Sequence, residues 1–372
     1  MSVIGVDARS LLCREPRGEG KTLLRLYEEI SKQRPDIEIW FFGDSSATEY
    51  TGVLPAGIHV DVLPTWGHRI DGWENFCLPA MAWRRRCSVL HCASSSAPRW
   101  SPCPVVMTVH DMIPALHFDG HDAEQQKIFL TRLGRGLRHA RHVIAVSENT
   151  KRDLCNHRPD LAQKISVIHW ACDPTLAPPA SGPRAAKYIV TFGGAARRKN
   201  TVYTLRRFAR IAEQVPGVTL VILGIGQQAT KTALLQHAVD LGIESRVEIP
   251  GFIPEDRLNE WLSGASLMLY LSLYEGFGLP VLEAITRGVP VIVSDRSSLP
   301  ELLLDAPGCV SLEDPVAVEA TAVGLLTGRE DLVHWCQKQR AAIRGFTWRS
   351  TAEKALALLL DDGSALKQPE IS

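Results

Sequence analysis

Glu275 and Glu283 flank the run Gly276-Phe277-Gly278-Leu279-Pro280, and an apolar stretch, residues 267–271, leads into it. The apolar stretch reads as a buried parallel strand. Gly276 and Gly278 let the backbone turn sharply and approach a ligand closely. Pro280 suits the first helical position, where its missing N–H costs nothing. The order is therefore strand, glycine turn, helix N-terminus. Free amides and the positive end of the helix dipole there favour a phosphate. If both carboxylates face one crevice, one can accept sugar hydroxyls and the other ribose hydroxyls. The plain alternative makes Glu275 a turn acid and Glu283 a solvated helix residue.

A second stretch offers the opposite charge. Gly193 and Gly194 free the backbone of the loop Gly193-Gly194-Ala195-Ala196-Arg197-Arg198-Lys199-Asn200, and Arg198 and Lys199 bring fixed cations to a helix start. A departing diphosphate gathers negative charge, which preorganised cations stabilise by roughly 3–4 kcal/mol per well-placed group. A solvated basic turn is the plain alternative. No two aspartates are separated by one residue. The Asp-x-Asp pattern by which a divalent ion is commonly held against a diphosphate is therefore missing, and no metal site is expected. His110, followed by Asp111, ends a strand of the first half, where an imidazole can hydrogen-bond a sugar hydroxyl; we expect it to position rather than to transfer protons. Gly18-Glu19-Gly20 permits backbone approach to a phosphate, and a plain loop fits equally well.

These residues need a scaffold, and the chain has the length for two domains at 372 residues. Hydrophobic content of 45%, charged content of 22% and a net charge of zero describe an ordinary globular protein and exclude a general polyanion binder, nucleic acid included. The nine cysteines form no CxxC pair, which fits neither a zinc site nor a disulfide scaffold and suggests a reducing cytoplasm. No signal peptide and no apolar run of membrane-spanning length is read. Short apolar strands alternate with helices in both halves, which predicts doubly wound parallel sheets. Pro174, Pro178, Pro179, Ser181, Gly182 and Pro183 mark a linker. The expected division is a first Rossmann-like domain over 1–173, a linker over 174–186, a second domain over 187–345, and a final helix over 346–372. Two such domains place a crevice between the carboxyl ends of their strands.

Glu275 and Glu283 around Gly-Phe-Gly-Leu-Pro resemble the signature of the retaining glycosyltransferase family 4, and the likeness runs from Val6-Asp7-Ala8-Arg9 to Thr347-Trp348. The resemblance implies a GT-B fold, with the two domains facing across a cleft and the last helix crossing back to the first. It implies that Lys199, with Arg198 beside it, binds the donor diphosphate. Where the family often has an arginine directly after the first glycine, this chain has Gly194, so Arg197 or Arg198 would substitute. By the same likeness His110 sits near the donor sugar, Glu275 orients that sugar, and Glu283 holds the ribose. The amides around Gly276, Phe277, Gly278 and Leu279 face phosphate, and the backbone at Ile253 faces the base. Gly18 and Gly20 correspond to the first-domain glycine loop, with Lys21-Thr22-Leu23 replacing the usual Arg-Tyr-Thr. Ser298-Leu299-Pro300-Glu301 resembles a supporting segment.

The implied function is hexosyl transfer, with retention, from a nucleotide diphosphate sugar that is a substrate and not a cofactor. The Arg-Lys-Asn and His-Asp segments look most like bacterial polysaccharide mannosyltransferases, which points to GDP-mannose; a UDP-sugar donor is the alternative. The acceptor would be a glycan or a polyprenyl-diphosphate-linked glycan. An oxidoreductase would need Gly-x-Gly-x-x-Gly after a strand, but Gly224-Ile225-Gly226 has Ala229 in the third place. A non-catalytic binder would be expected to have lost Glu275 or Lys199, and an epimerase would turn over without acceptor. Arg132, Arg135, Arg138 and Arg141, with Trp83-Arg84-Arg85-Arg86 as a second cluster, suggest peripheral contact with an anionic membrane at the inner face; a solvated face is the alternative.

Overall fold

The computed structural model describes residues 2–16, 18–64, 69–116, 122–172, 187–251 and 253–361. The chain divides into two compact units, one of Met1–Ala115, Asp122–Trp170 and Thr347–Ser372, the other of Leu116–His121 and Ala171–Phe346. The expected linker over 174–186 lies outside the described residues.

The first unit holds β1 (Val3–Asp7), α1 (Gly18–Gln33), β2 (Glu38–Gly43), β3 (Ile58–Val62), α2 (Arg69–Gly72), α3 (Leu78–Arg84), β4 (Val89–Cys92), β5 (Val105–Val109), α4 (Ala123–His139), β6 (His142–Ala145), α5 (Glu148–His157) and β7 (Ile165–Val167). Its seven strands run in the order β3-β2-β1-β4-β5-β6-β7, all parallel. β5 is buried at every position, as a strand with helices on both faces must be. Ser147 caps α5 by accepting from the Thr150 amide at 3.0 Å, as its position before the helix predicts.

The second unit holds β8 (Tyr188–Phe192), α6 (Thr201–Gln214), β9 (Thr219–Leu223), α7 (Gln228–Asp240), β10 (Val247–Glu248), α8 (Glu255–Ser263), β11 (Leu267–Tyr270), α9 (Leu279–Thr286), β12 (Val291–Ser294), α10 (Leu299–Leu303), β13 (Cys309–Val310), α11 (Pro315–Thr327) and α12 (Leu332–Ala342). The six strands run in the order β10-β9-β8-β11-β12-β13, again all parallel. Its core joins Ile189, Leu220, Ile222, Leu267, Leu269 and Ile292 of the sheet to Phe208 and Ile211 of α6.

The last helix, α13 (Trp348–Leu359), belongs to the first unit. It lies against α1, where Gln33 Nε2 donates to the Arg349 carbonyl at 3.2 Å. Thr351 Oγ1 donates to the His169 carbonyl at 2.9 Å, and Trp348 packs 6.2 Å from Trp170. The return of this helix follows from its buried face of Ala352, Ala355, Leu356 and Leu359. Both units have the doubly wound parallel architecture expected of the sequence.

Two local readings are corrected. The glycines at 18 and 20 do not form a loop: α1 begins at Gly18 and takes both into its first turn. A Cβ on Gly20 would lie 2.2 Å from the Ser10 carbonyl oxygen, so this glycine is needed where α1 packs on the turn after β1. The arginines at spacing three do not form one face either. Each step of three on an α-helix falls about 60° short of a full turn, and Arg141 lies beyond the end of α4. Arg132 reaches Asp71 at 3.4 Å, Arg135 reaches Glu74 at 3.3 Å, and Arg141 donates to the Asp361 carbonyl at 2.5 Å. These three cations are engaged inside their own unit, while Arg138 is exposed.

Candidate active site

In the second unit, two loops at the carboxyl ends of adjacent strands are sewn together. The loop after β8 runs over 193–200, with a short 3-10 turn at Arg197–Lys199. It ends at Asn200, which adopts φ +52°. Asparagine tolerates this left-handed backbone better than most residues, and its Nδ2 donates to the Leu271 carbonyl at 3.0 Å. The Leu273 amide donates to the Arg198 carbonyl at 2.7 Å. The basic turn is therefore fixed on the end of β11.

Gly193 is required by packing. A Cβ there would stand 2.5 Å from Ile222 Cγ2. The Gly194 amide donates to Thr201 Oγ1 at 3.1 Å, and the same hydroxyl is within 3.1 Å of the Gly194 carbonyl. Gly278 sits at φ +102°, and a Cβ there would stand 2.9 Å from Leu299 Cδ2 and 3.0 Å from Leu302 Cδ1. It opens α9, where Pro280 takes the second helical position, not the first.

Glu275 is the hub. It is only 8% exposed. Lys199 Nζ donates to its Oε1 at 2.8 Å and Arg198 Nη1 to its Oε2 at 3.3 Å. Lys199 Nζ also donates to the Tyr270 hydroxyl at 3.2 Å. Burial, and then the nearby Glu275 carboxylate, hold the Tyr270 phenol well above its ordinary range, so the hydroxyl stays protonated. Behind Glu275, its amide donates to Ser297 Oγ at 3.0 Å, and its carbonyl accepts from Ser297 and Ser298 at 2.6 and 3.0 Å. Ser298 Oγ lies 3.1 Å from the Phe277 carbonyl as well. Such a frame holds a carboxylate and two cations in one place with little freedom to relax, the condition for electrostatic preorganisation.

Sequence reasoning thus brought Glu275, Arg198 and Lys199 forward, and the structure joins them directly. It missed Tyr270 and Ser297, and named Asn200 and Ser298 only as members of the basic loop and of a supporting segment. A strand residue and a turn asparagine carry no spacing signal. Glu283 lies on α9, partly buried, with its carbonyl accepting from Arg287 Nη1 at 2.7 Å. Ile253 lies in the loop before α8, two positions after the left-handed Gly251.

His110, Gly18 and Gly20 belong to the first unit. His110 follows β5, stacks at 5.8 Å on Trp170, and sets its Nε2 2.8 Å from the Ala93 carbonyl. A carbonyl can only accept, so Nε2 is the donor in this contact. That suits a ring held in one orientation. A deeper histidine, His91, sits between the Tyr27 and Thr108 hydroxyls at 2.8 Å each, and burial pushes its pKa down to about 3. It is a neutral structural residue. Among the described residues no group of His, Cys, Asp and Glu has the arrangement of a metal site.

Two parallel-sheet units with their strand ends carrying such loops define the GT-B fold. Solved chains of that fold overlay closely. Sucrose-phosphate synthase from Thermosynechococcus elongatus matches with TM-score 0.74 at 16% identity, over 96% of this chain and 98% of its own. Anabaena HepE in complex with UDP and glucose matches with TM-score 0.69 at 18% identity, over 96% and 99%. In sequence, residues 16–176 match "Glycosyltransferase Family 4" and residues 178–326 match "Glycosyl transferases group 1". The chain belongs to glycosyltransferase family 4. Among curated relatives, O-antigen chain mannosyltransferase B of Escherichia coli is 28% identical over 61% of this chain and 61% of its own length. D-inositol 3-phosphate glycosyltransferase of Mycobacteroides abscessus is 29% identical over 58% and 51%. The chain thus spans about half to three-fifths of the length of these two relatives.

Proposed function

We propose that the protein transfers a hexose from a nucleotide diphosphate sugar, GDP-mannose, to a glycan or polyprenyl-diphosphate-linked glycan, with retention of configuration. The observation that supports it is the Lys199–Glu275–Arg198 cluster, with the cations 2.8 and 3.3 Å from the carboxylate at the head of a glycine turn and helix. Mannosyl transfer is supported by O-antigen mannosyltransferases of Escherichia coli and Salmonella typhimurium among the relatives. A UDP-sugar is the second reading, favoured by the likeness to HepE with UDP and glucose. Screening a panel of nucleotide sugars for donor hydrolysis and thermal stabilisation separates the two. Selective response to a UDP-sugar would overturn the GDP-mannose assignment.

In this reading Lys199 and Arg198 take up the charge of the departing diphosphate. The bond from the anomeric carbon to the β-phosphate oxygen breaks as the acceptor oxygen attacks from the same face. The leaving phosphate oxygen takes the acceptor's proton, so no enzymatic base is required. Glu275 orients the sugar and its charge favours an oxocarbenium-like transition state. Turnover is expected to persist in EDTA, because fixed cations and the α9 dipole carry the phosphate charge. Loss of activity in EDTA with recovery on adding Mg²⁺ or Mn²⁺ would refute this.

Glu283 is assigned to the ribose hydroxyls, held alike in ground and transition states. Glu283→Ala should therefore raise donor KM by about tenfold, the worth of one hydrogen bond to a charged group, with a smaller change in kcat. Donor titration by calorimetry checks it. An unchanged affinity removes Glu283 from the site.

A further inference from the structure

The first unit carries an exposed aromatic ridge that the reaction does not use. α2, a π turn at Trp73–Cys77 and α3 form one continuous helical rod. Its inner side buries Trp73, Leu78, Met81 and Ala82 in the core. Its outer side presents Phe76, 75% exposed, and Trp83, 72% exposed. They are seven positions apart, close to two helical turns, so both point to about the same side, roughly 10 Å apart. The loop at 98–101 joins this surface: the Arg99 amide donates to Asn75 Oδ1 at 2.9 Å. The residues next in sequence to that bond are Phe76 and Trp100, the latter 55% exposed. Large aromatics are costly to leave in water, and a cluster of them marks a contact surface.

The charge around the ridge identifies the partner. Arg84 and Arg85 share one acid, Asp61, with Arg85 Nε 2.7 Å from it, which leaves that trio with an excess positive charge. Arg86 and Arg99 are exposed beside it. The nearby acids are spent: Asp71 is reached by Arg132, and Glu74 is buried against Arg135 and Ser96. Tryptophan and phenylalanine among cations match the interface of an anionic bilayer, where rings sit at headgroup depth and guanidiniums pair with phosphates. We infer that the Phe76–Trp83–Trp100 ridge docks the protein on an anionic lipid surface. Arg84, Arg86 and Arg99 supply the attraction. This patch replaces the α4 arginines as the membrane-facing element.

The test is flotation with vesicles of phosphatidylglycerol and phosphatidylcholine, against vesicles of phosphatidylcholine alone. Wild type should float with the anionic vesicles only, with a blue shift of tryptophan fluorescence, and should release as salt rises, since exposed charges are screened over about 8 Å at physiological ionic strength. Joint replacement Phe76→Ser, Trp83→Ser and Trp100→Ser should lower binding at least tenfold. Arg86→Glu with Arg99→Glu should do the same, and it leaves the aromatics in place should the first variant fail to fold. Thermal melting and nucleotide binding should be unchanged in both. Absence of binding to anionic vesicles overturns the inference, as does equal binding by the charge variant. Sedimentation that shows a dimer abolished by the serine variant, without vesicle binding, also overturns it and makes the ridge a self-association face.

Discussion

Lys199→Gln should lower kcat by roughly 10²–10³, the usual cost of losing one preorganised charge stabiliser. In the proposed reaction diphosphate charge grows as the bond to the sugar breaks, so Lys199 would serve the transition state more than the ground state. Glutamine keeps most of the length and a donor but not the charge, so it should rescue little. The structure sharpens this expectation. Lys199 is only 18% exposed and is held by Glu275 and the Tyr270 hydroxyl, unlike a lysine on a solvated turn. Its ammonium is already immobilised, and little reorganisation is needed when phosphate arrives. The variant should fold, because Arg198 still meets Glu275 at 3.3 Å and the loop remains pinned through Asn200. A stability loss of about 1–2 kcal/mol is expected from the weakened pairing of a buried carboxylate. Single-turnover kinetics on the folded variant decides. A near-normal kcat would mean that the loop does not meet the diphosphate, and Arg197 and Arg198 would be tested in its place.

The architecture was legible because its signals are strong and local. Buried parallel strands such as β5 and β11 are short, mainly apolar runs, and helices such as α4 begin at a capping residue, here Asp122 accepting from the Gln125 amide at 2.8 Å. The basic loop and Glu275 stood out as a candidate pair because charge beside glycine at strand ends is conspicuous in a sequence, and the two do meet. What was not legible is how these groups are held. Asn200, Ser297 and Tyr270 act through tertiary hydrogen bonds, and sequence spacing does not encode a partner 22 or 71 residues away. The same limit explains the α1 and α4 errors. Gly20 looked like loop chemistry because its real constraint, the Ser10 carbonyl, lies across a turn. The α4 arginines looked free because Asp71 and Glu74 come from another element.

Replacing Glu275 should separate two effects that usually move together. In Glu275→Gln, kcat should fall by roughly 10², because the proposed mechanism uses the carboxylate charge to favour an oxocarbenium-like transition state. Affinity for the free nucleoside diphosphate should change in the opposite direction. Glu275 pairs with both Lys199 and Arg198 and offsets one of their two charges, so in the proposed reading an incoming diphosphate must compete with it for the same cations. A neutral amide competes less. Loss of a partly buried ion pair worth about 1.4 kcal/mol would tighten diphosphate binding about tenfold. Lys199→Gln has the other signature, weaker diphosphate binding together with slower turnover. Glu275→Ala serves as the control for mere structure. It strips both cations of their partner and should loosen the loop and lower the melting temperature, effects the glutamine largely avoids by keeping shape and one acceptor. Calorimetric titration with nucleoside diphosphate, beside kcat for each variant, distinguishes these cases. If Glu275→Gln binds diphosphate no more tightly than wild type, the carboxylate does not hold the phosphate-binding cations. If its kcat is also unchanged, Glu275 is a structural turn acid and the site lies elsewhere.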